Sequence, residues 1–333
     1  MSSHQKENRG KVSIAMTTYN GVRYVQEQLD SLLAQTVPPA EIVICDDGST
    51  DGTVELLQAY AQQDARIRLF SNDASLGVNQ NFLQAMSRCS SDWIMLCDQD
   101  DYWYPEKIER CLGAAMDLPQ QLPLLVTSRA IPVDVEGRPL ARLQERADYQ
   151  AGYWTLLGHN SQGCTLLMNR LLMQQVLELP VPNERELVDP QTGKPIVYFD
   201  WAIGLLAVML GVKLDLGQAL MDYRIHPKNV TAHPSYYRGG SLMVRIERWL
   251  KQTHTGYEAY VLYQPKRKLI LEWVYAYCRE KVAPEYANVV NQVLQIHTSD
   301  SWLSKLKILR QLPKDYPFRL KLLVSLKWLS QSR

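Results

Sequence analysis

The sequence predicts an α/β protein built on a parallel, doubly wound sheet, and three observations point to this fold. Short apolar runs alternate with amphipathic stretches through the first 130 residues. The runs are about four to six residues long, as strands are. Three of them end in polar clusters, at 17–20, 46–49 and 98–101. Because ligands of open α/β sheets bind at the carboxyl ends of the strands, these clusters predict one shared site.

The predicted elements follow one another in chain order. Val12–Met16 is a strand, and the stretch after it carries apolar residues at helical spacing from Val22 to Leu33. Thr50 or Asp51 is available to cap the second helix. The remaining predictions are strands at 41–45, 67–71, 93–97 and 122–128, and helices at 54–62, at 77–87 and from Pro105 onward.

The composition limits the class of protein. A chain of 333 residues with 46% hydrophobic content is long enough for about two domains and is not globally disordered. The net charge of +1 argues against a protein whose whole surface binds nucleic acid. Six cysteines without CxxC spacing predict reduced thiols in a cytosolic protein. We expect no secretory signal in the polar first eleven residues, and no membrane span in the longest apolar run, 202–212.

The acidic group after strand 93–97 has the composition of a divalent-cation site. Asp98 and Asp100 are carboxylates two residues apart, and Mg²⁺ or Mn²⁺ prefers such oxygen ligands beside substrate phosphates. Residues 46–49 offer acceptors for ribose or base groups, and Tyr19 offers a ring for stacking. Each group alone also fits a capped turn or a packing aromatic, and their occurrence at successive strand ends favours a site. The sequence contains no Walker A or GxGxxG motif, which disfavours P-loop and dinucleotide-binding proteins.

Three segments carry a resemblance to a known family. They read VSIAMTTYNG at 12–21, IVICDDGSTDGT at 42–53 and DQDDYW at 98–103. With these segments, residues 11–232 resemble the family 2 glycosyltransferases of the GT-A fold. The resemblance to the rhamnosyltransferase-like branch of that family lies in Asn81-Phe82 and in the PEKI segment at 105–108. The resemblance implies a mixed α/β sheet flanked by helices, with a helical appendage at the C-terminal end.

The resemblance also implies residue roles. The residues implied to bind the nucleotide sugar are Thr17, Tyr19, Asn20, Asp46, Asp47, Asn81, Asp98 and Arg224. The implied ligands of Mg²⁺ or Mn²⁺ are Asp98, Asp100 and His226, and the guanidinium of Arg224 is suited to hold phosphate. For Asp101 two roles stay open: it either contacts the metal ligands without binding the metal itself, or it caps the following helix.

Asp200 is the implied catalytic base of an inverting reaction. A single carboxylate suffices, because the metal takes the leaving diphosphate and only the acceptor hydroxyl has to lose a proton. The alternative is that Asp200 caps the apolar helix that follows it. Position 199 is Phe where many relatives have His. Weaker candidates for the acceptor side are His159, Asn160, Gln162 and Trp201, the first three lying in what is otherwise a solvated loop.

The last 32 residues differ from the rest of the chain. Residues 302–333 carry eight Lys and Arg residues against one acid, interleaved with apolar residues and with Trp302 and Trp328. This pattern favours an anionic membrane surface, the alternative being a helix docked on the catalytic domain. We therefore predict a catalytic domain at 1–235, with a nucleotide-sugar half at 11–120 and an acceptor half at 121–235. An α-helical region follows at 236–333.

The predicted function is that of an inverting, metal-dependent glycosyltransferase. It moves a sugar such as rhamnose from a dTDP- or UDP-linked donor to a glycan or lipid-linked acceptor in bacterial surface polysaccharide biosynthesis. We expect a cytoplasmic protein, peripheral on the inner face of the membrane, that binds no nucleic acid. The alternatives are a sugar nucleotidyltransferase of similar fold and an inactive scaffold subunit that binds nucleotide sugars.

Overall fold

The structure, a computed structural model, describes residues 10–140, 162–180, 187–188, 196, 198–227, 229, 265–298 and 307. These residues form one eight-stranded sheet with helices on both faces. The strands are β1 (Val12–Thr18), β2 (Glu41–Asp46), β3 (Ile67–Ser71), β4 (Trp93–Cys97), β5 (Tyr102–Trp103), β6 (Leu124–Val133), β7 (Leu166–Asn169) and β8 (Val212–Arg224). The helices are α1 (Val25–Leu33), α2 (Thr53–Gln63), α3 (Val78–Ser87), α4 (Lys107–Met116), α5 (Arg170–Leu177), α6 (Phe199–Leu210), α7 (Pro265–Cys278) and α8 (Pro284–Thr298).

The first four long strands form the parallel half of the sheet. The order is β3-β2-β1-β4, and β1 pairs in parallel with both β2 and β4. The chain therefore leaves β1 toward one edge and returns to its other side with β4. This change of direction is a topological switch point, where the carboxyl ends of the strands open a crevice. The hydroxyl of Thr18 donates to Asp46 Oδ2 over 2.7 Å and ties the ends of β1 and β2 together.

The second half of the sheet is mixed, so the parallel pattern predicted from the first 130 residues does not extend to it, and the mixed sheet that the resemblance implied is confirmed. β7 runs antiparallel to both β4 and β6, and β8 runs parallel to β6 with two register shifts. β5, which the sequence did not predict, is two residues long and pairs antiparallel with β8. A strand that short has no readable alternation, and its pairing is decided by β8, more than 100 residues away.

Two apolar layers cover the two faces of the sheet. On the parallel strands, successive residues belong to opposite layers: Ile14 and Met16 pack with α1, α2 and α4, whereas Ala15 packs with α3 and α6. Most buried residues of β1, β2 and β4 are apolar, as expected for strands covered on both sides. The buried polar residues are Ser13, Thr18, Glu41 and Asp46.

Helices α7 and α8 lie within the predicted helical region 236–333, in the part of it that the structure describes. They share a core with α5 and α6 through Leu271, Val274 and Val290. The ring of Trp273 meets that of Tyr198 edge-on at 4.9 Å, directly before α6. No described helix is long and apolar enough to cross a membrane. The division of the chain at residue 235 stays a prediction.

Several element boundaries differ from the predictions for local reasons. Val22 is 39% exposed and lies in the turn before α1, so it does not join the apolar face of that helix. Pro105 lies in a turn, and the helix after it begins at Lys107. The predicted strand 122–128 is β6, which extends to Val133. Gly52 holds the N-cap position of α2, so neither Thr50 nor Asp51 is its N-cap, although Asp51 Oδ1 accepts the backbone N–H of Thr53 in the first turn.

Gly211 permits the tight passage from α6 to β8, and its substitution tests the packing of β8. A Cβ there would lie 1.8 Å from the carbonyl oxygen of Pro123. We expect Gly211→Ala to lower the free energy of unfolding by about 3 kcal/mol, measured by urea denaturation. The matched control is Gly113→Ala in α4, where a Cβ meets nothing within 4 Å and the change should stabilise by about 0.5–1 kcal/mol. Equal effects of the two changes would contradict the packing described.

Candidate active site

The turn between β1 and α1 forms the first wall of the crevice, and residues 19–24 are called the Tyr19 loop here. Thr17 is half-buried at the end of β1, whereas the Tyr19 side chain is 54% exposed. Asn20 has a φ of +48°, a left-handed conformation that Asn tolerates better than most residues. Its backbone N–H donates to Ser49 Oγ over 2.8 Å, and its Oδ1 accepts the N–H of Thr50. The Tyr19 loop is thereby fastened to the turn after β2.

Asp46 is buried and organises that turn. Its two carboxylate oxygens accept hydrogen bonds from the Thr18 hydroxyl, from the N–H groups of Gly48 and Ser49, and from the Ser49 hydroxyl, over 2.6–3.1 Å. These contacts correspond to the capped turn considered as an alternative. The nucleotide-binding role predicted for Asp46 stays a prediction, and in this structure the carboxylate acts through the shape of the turn.

Asp47 holds a second loop against the crevice. Its oxygens accept hydrogen bonds from the Asn72 amide, the Ser75 hydroxyl and the N–H groups of Leu76 and Gly77, over 2.7–3.0 Å. Asn72 also donates to Oδ1 of the buried Asn81, at 3.0 Å. The structure thus joins Asp47 and Asn81, both predicted from the sequence, through Asn72, which sequence reasoning missed.

The acidic loop, Asp98–Asp101, lies between β4 and β5 and forms the opposite wall. Asp98 is half-buried, and Asp100 and Asp101 are buried. His226 Nε2 lies 2.8 Å from Asp100 Oδ2, and Asn229 Nδ2 lies 3.5 Å from the same oxygen. The structure therefore brings two of the predicted metal ligands, Asp100 and His226, into direct contact.

Arg224, at the end of β8, is buried and contacts the protein on all sides of its guanidinium. It donates to Glu27 Oε2 at 2.6 Å, to the carbonyl oxygen of Asp100 at 3.0 Å and to that of Val135 at 3.1 Å. Its backbone N–H donates to Asp101 Oδ1 at 3.0 Å. These contacts make Arg224 a support of the acidic loop, and its predicted contact with phosphate stays a prediction.

A fully buried cation, Lys107, lies behind the acidic loop. Its Nζ donates to the carbonyl oxygen of Cys164 over 2.6 Å and lies 3.6 Å from the centre of the Trp103 ring. Burial lowers the pKa of Lys107, and the charge of Asp101 is among the groups that oppose this. Lysine is almost never fully buried without a partner, so this contact is a specific feature of the site that sequence reasoning missed.

Burial and the charges of neighbouring carboxylates raise the pKa values of two residues of the acidic loop, Asp98 and Asp101. Burial, followed by the charges of Asp100 and Asp200, raises the pKa of Asp98 to about 7. Burial and the charges of Asp100 and Asp98 also raise the pKa of Asp101 well above its usual value. Because the charge of Asp200 reaches Asp98, the predicted base and the acidic loop belong to the same crevice.

Asp200 lies in the first turn of α6, and its Oδ1 accepts the backbone N–H of Trp201 over 2.8 Å. Phe199 beside it is buried and stacks on Phe82 with ring centres 4.4 Å apart, so the position occupied by His in many relatives serves the core here. A short helical turn, Gly163–Thr165, packs against this segment, and a Cβ on Gly163 would touch the Phe199 ring at 3.0 Å.

The structure describes only two of the four residues predicted for the acceptor side. His159 and Asn160 lie outside the described residues. Gln162 is exposed, and its carbonyl oxygen accepts the N–H of Thr165, while Trp201 is half-buried. Their roles stay predictions.

The residues present fit a hard divalent cation. Asp98 and Asp100 supply carboxylate oxygens, and the His226 imidazole lies beside them. Oxygens of Asp98 and Asp101 also lie within 4.8 Å of Cys164 Sγ. Burial raises the pKa of the Cys164 thiol well above its usual value, as it does that of Asp101.

The raised pKa of Asp98 predicts a pH dependence of stability. An unfolded Asp has a pKa of about 3.9, so between pH ~4 and ~7 the folded state binds the proton more tightly and its stability falls as pH rises. We expect Asp98→Asn to flatten this fall, measured by urea denaturation at several pH values in EDTA. The control is Asp117→Asn, an exposed carboxylate on the far end of α4. An unchanged slope in Asp98→Asn would show that another group is responsible.

Comparison with known proteins agrees with this geometry. Residues 13–174 match the family model described as glycosyl transferase family 2. TuaG of Bacillus subtilis, assigned to teichuronic acid biosynthesis as a glycosyltransferase, is 29% identical over 182 residues, which are 54% of this chain and 69% of TuaG. The chondroitin synthase of Escherichia coli is 36% identical over 101 residues, 30% of this chain but 15% of the synthase. The chain thus spans a small part of the synthases that it matches.

Solved structures show the same fold. S. aureus TarS 1–349 aligns with a TM-score of 0.51 at 16% identity, covering 97% of this chain and 92% of that one. A second TarS structure, in complex with UDP-GlcNAc, aligns with a TM-score of 0.52 at 14% identity and the same coverage. These solved structures share the GT-A fold. Residues 13–174 are similar to glycosyl transferase family 2, and together with the relatives named as glycosyltransferases this match shows that the protein is a glycosyltransferase.

Proposed function

We propose that the protein is an inverting, metal-dependent glycosyltransferase of bacterial surface polysaccharide biosynthesis. The observation that carries this proposal is the meeting of Asp200 with the acidic loop in one crevice, where its charge raises the pKa of Asp98. The carboxylate of Asp200, in the first turn of α6, lies near enough to the acidic loop for its charge to act on Asp98. This is the arrangement that direct displacement at a sugar carbon requires.

The two walls of the crevice divide the work of binding the donor. The exposed ring of Tyr19 and the loop held by Asp47 and Asn81 bind the nucleoside. Asp98, Asp100 and His226 hold Mg²⁺ or Mn²⁺, which when bound neutralises the charge that develops on the departing nucleoside diphosphate. Arg224 keeps the acidic loop in place through the carbonyl oxygen of Asp100.

Asp200 is the base of the proposed reaction. Its carboxylate takes the proton from the acceptor hydroxyl as the hydroxyl oxygen attacks the sugar carbon, and the bond from that carbon to the diphosphate oxygen breaks. Attack from the face opposite the leaving group inverts the configuration. No acid is needed for the leaving group, because the diphosphate departs as an anion.

The relatives support the polysaccharide setting and the donor class. TuaG is assigned to teichuronic acid biosynthesis, and the matched synthases are named for chondroitin and hyaluronan. One of the aligned TarS structures is a complex with UDP-GlcNAc. We propose a UDP- or dTDP-linked donor, with rhamnose as the first sugar to test, and a glycan or lipid-linked acceptor.

Substitution of the proposed base separates chemistry from binding. We expect Asp200→Asn to lower turnover at least about 1,000-fold, because the acceptor hydroxyl loses its base, while the affinity for the nucleoside diphosphate changes less than about threefold. Turnover is measured by release of the nucleoside diphosphate from the donor in the presence of acceptor, and affinity by calorimetry. The control is Asp117→Asn, remote on α4. Retained turnover in Asp200→Asn would remove this residue from the base role.

Residues 302–333 are proposed to hold the enzyme at an anionic membrane surface, on the cytoplasmic face. We expect Lys305, Lys314 and Lys321 replaced together by Gln to weaken binding to phosphatidylglycerol vesicles more than tenfold, since each basic residue contributes about 1 kcal/mol at such a surface. Co-sedimentation at low and high salt measures this. The matched control replaces Lys11, Lys268 and Lys281, which lie outside this segment. Equal loss in both variants, or none in either, would contradict the proposal.

A further inference from the structure

The side chain of Gln99, in the middle of the acidic loop, reaches across the crevice to the backbone of Tyr19. The N–H of Tyr19 donates to Gln99 Oε1 over 2.8 Å, and Gln99 Nε2 donates to the carbonyl oxygen of Tyr19 over 3.0 Å. A side-chain amide carries one acceptor and one donor side by side, and both are used on the same residue. The contact therefore resembles the pairing between two strands.

Gly21 leaves the space that this contact needs. A Cβ on Gly21 would lie 2.2 Å from Gln99 Oε1 and 2.4 Å from Gln99 Cδ. Real Cβ atoms do not approach other atoms so closely, so any other residue at position 21 would displace the Gln99 amide. The φ of Gly21 is not in the left-handed region, so the close approach of Gln99, and not backbone strain, is what calls for glycine there.

The position of the contact joins the two halves of the donor site. Gln99 lies between Asp98 and Asp100 in the sequence, and its hydrogen-bond partner Tyr19 has an exposed ring. The fastening of the Tyr19 loop through Asn20 runs instead to the turn after β2, and so to the nucleoside side. The Gln99 amide is thus a direct link from the nucleoside wall to the cation wall.

We infer that Gln99 is a positioning residue that, with the space left by Gly21, couples binding of the nucleoside at the Tyr19 loop to binding of the divalent cation at the acidic loop. This inference rests on the proposed function, because it takes the two walls as nucleoside and cation sites. A ligand that orders either wall fixes the other through the amide, so each ligand raises the affinity for the second by the same factor.

The test measures this factor rather than activity. Binding of Mn²⁺ is followed by electron paramagnetic resonance, with and without saturating UDP, dTDP or GDP, whichever gives the largest thermal shift. In the wild type we expect the nucleoside diphosphate to raise Mn²⁺ affinity, and in Gln99→Ala this enhancement should shrink roughly tenfold. Gly21→Ala should give the same loss by displacing the amide. A purely structural role would lower thermal stability and leave the enhancement unchanged.

A double variant provides the sharpest control. Once Gln99→Ala has removed the amide, Gly21→Ala has nothing to displace, so the double variant should differ from Gln99→Ala by less than about twofold. Additive losses, or an enhancement that survives in both single variants, would overturn the inference. Gln120→Ala is the matched control and should behave as the wild type, because Gln120 is a surface glutamine whose amide donates to carbonyl oxygens at the end of α4.

Failure of the proposed function would be recognised separately. If Asp100→Asn binds Mn²⁺ as the wild type does, the cation site has been assigned wrongly, whatever the Gln99 variants show. If the wild type shows no enhancement with any of the three nucleoside diphosphates, the coupling is absent and the inference is wrong. The inference alone fails if the wild type and Asp100→Asn behave as expected but the Gln99 and Gly21 variants keep the full enhancement of Mn²⁺ affinity.

Discussion

Crowding of negative charge at the end of β4 is the constraint around which the site is built. Asp98, Asp100 and Asp101 lie within four residues of one another in surroundings that are largely buried, and the charge of Asp200 acts on Asp98. Like charges at short range in a poorly solvated place cannot all be ionised cheaply. Raised pKa values at Asp98 and Asp101 are one response to this cost, and a divalent cation is another, because it converts the repulsion into binding energy.

The neighbouring elements provide the remaining compensation. Arg224 and His226 reach the acidic loop from the end of β8, and Lys107 lies behind it at the start of α4. β5 contributes to the same arrangement. Its antiparallel pairing with β8 holds the loop between two sheet strands, so that residues more than 120 positions apart in sequence meet within hydrogen-bond distance.

Part of this could be read from the sequence and part could not, for identifiable reasons. The parallel half was predicted because its strands are buried on both faces and end in polar residues, both of which are local signals. In the mixed half, which the resemblance implied, the residue pattern did not predict β5 and β8, because β5 is too short and β8 too irregular to show a period. Gln99 and Lys107 were missed for another reason. Their types are ordinary on a protein surface, and only their contacts with the Tyr19 backbone and the Cys164 carbonyl reveal their roles.

Residue type and spacing along the chain are enough to predict the α/β class, the carboxylates at successive strand ends and the resemblance to family 2 glycosyltransferases. The tertiary structure decided what each polar group does. Asp46 and Asp47 accept hydrogen bonds that shape two loops. The guanidinium of Arg224 donates to Glu27 and to the acidic loop, and the charge of Asp200 acts on Asp98. These outcomes depend on which acceptor lies nearest after folding, and distance in space across a mixed sheet is not encoded in distance along the chain.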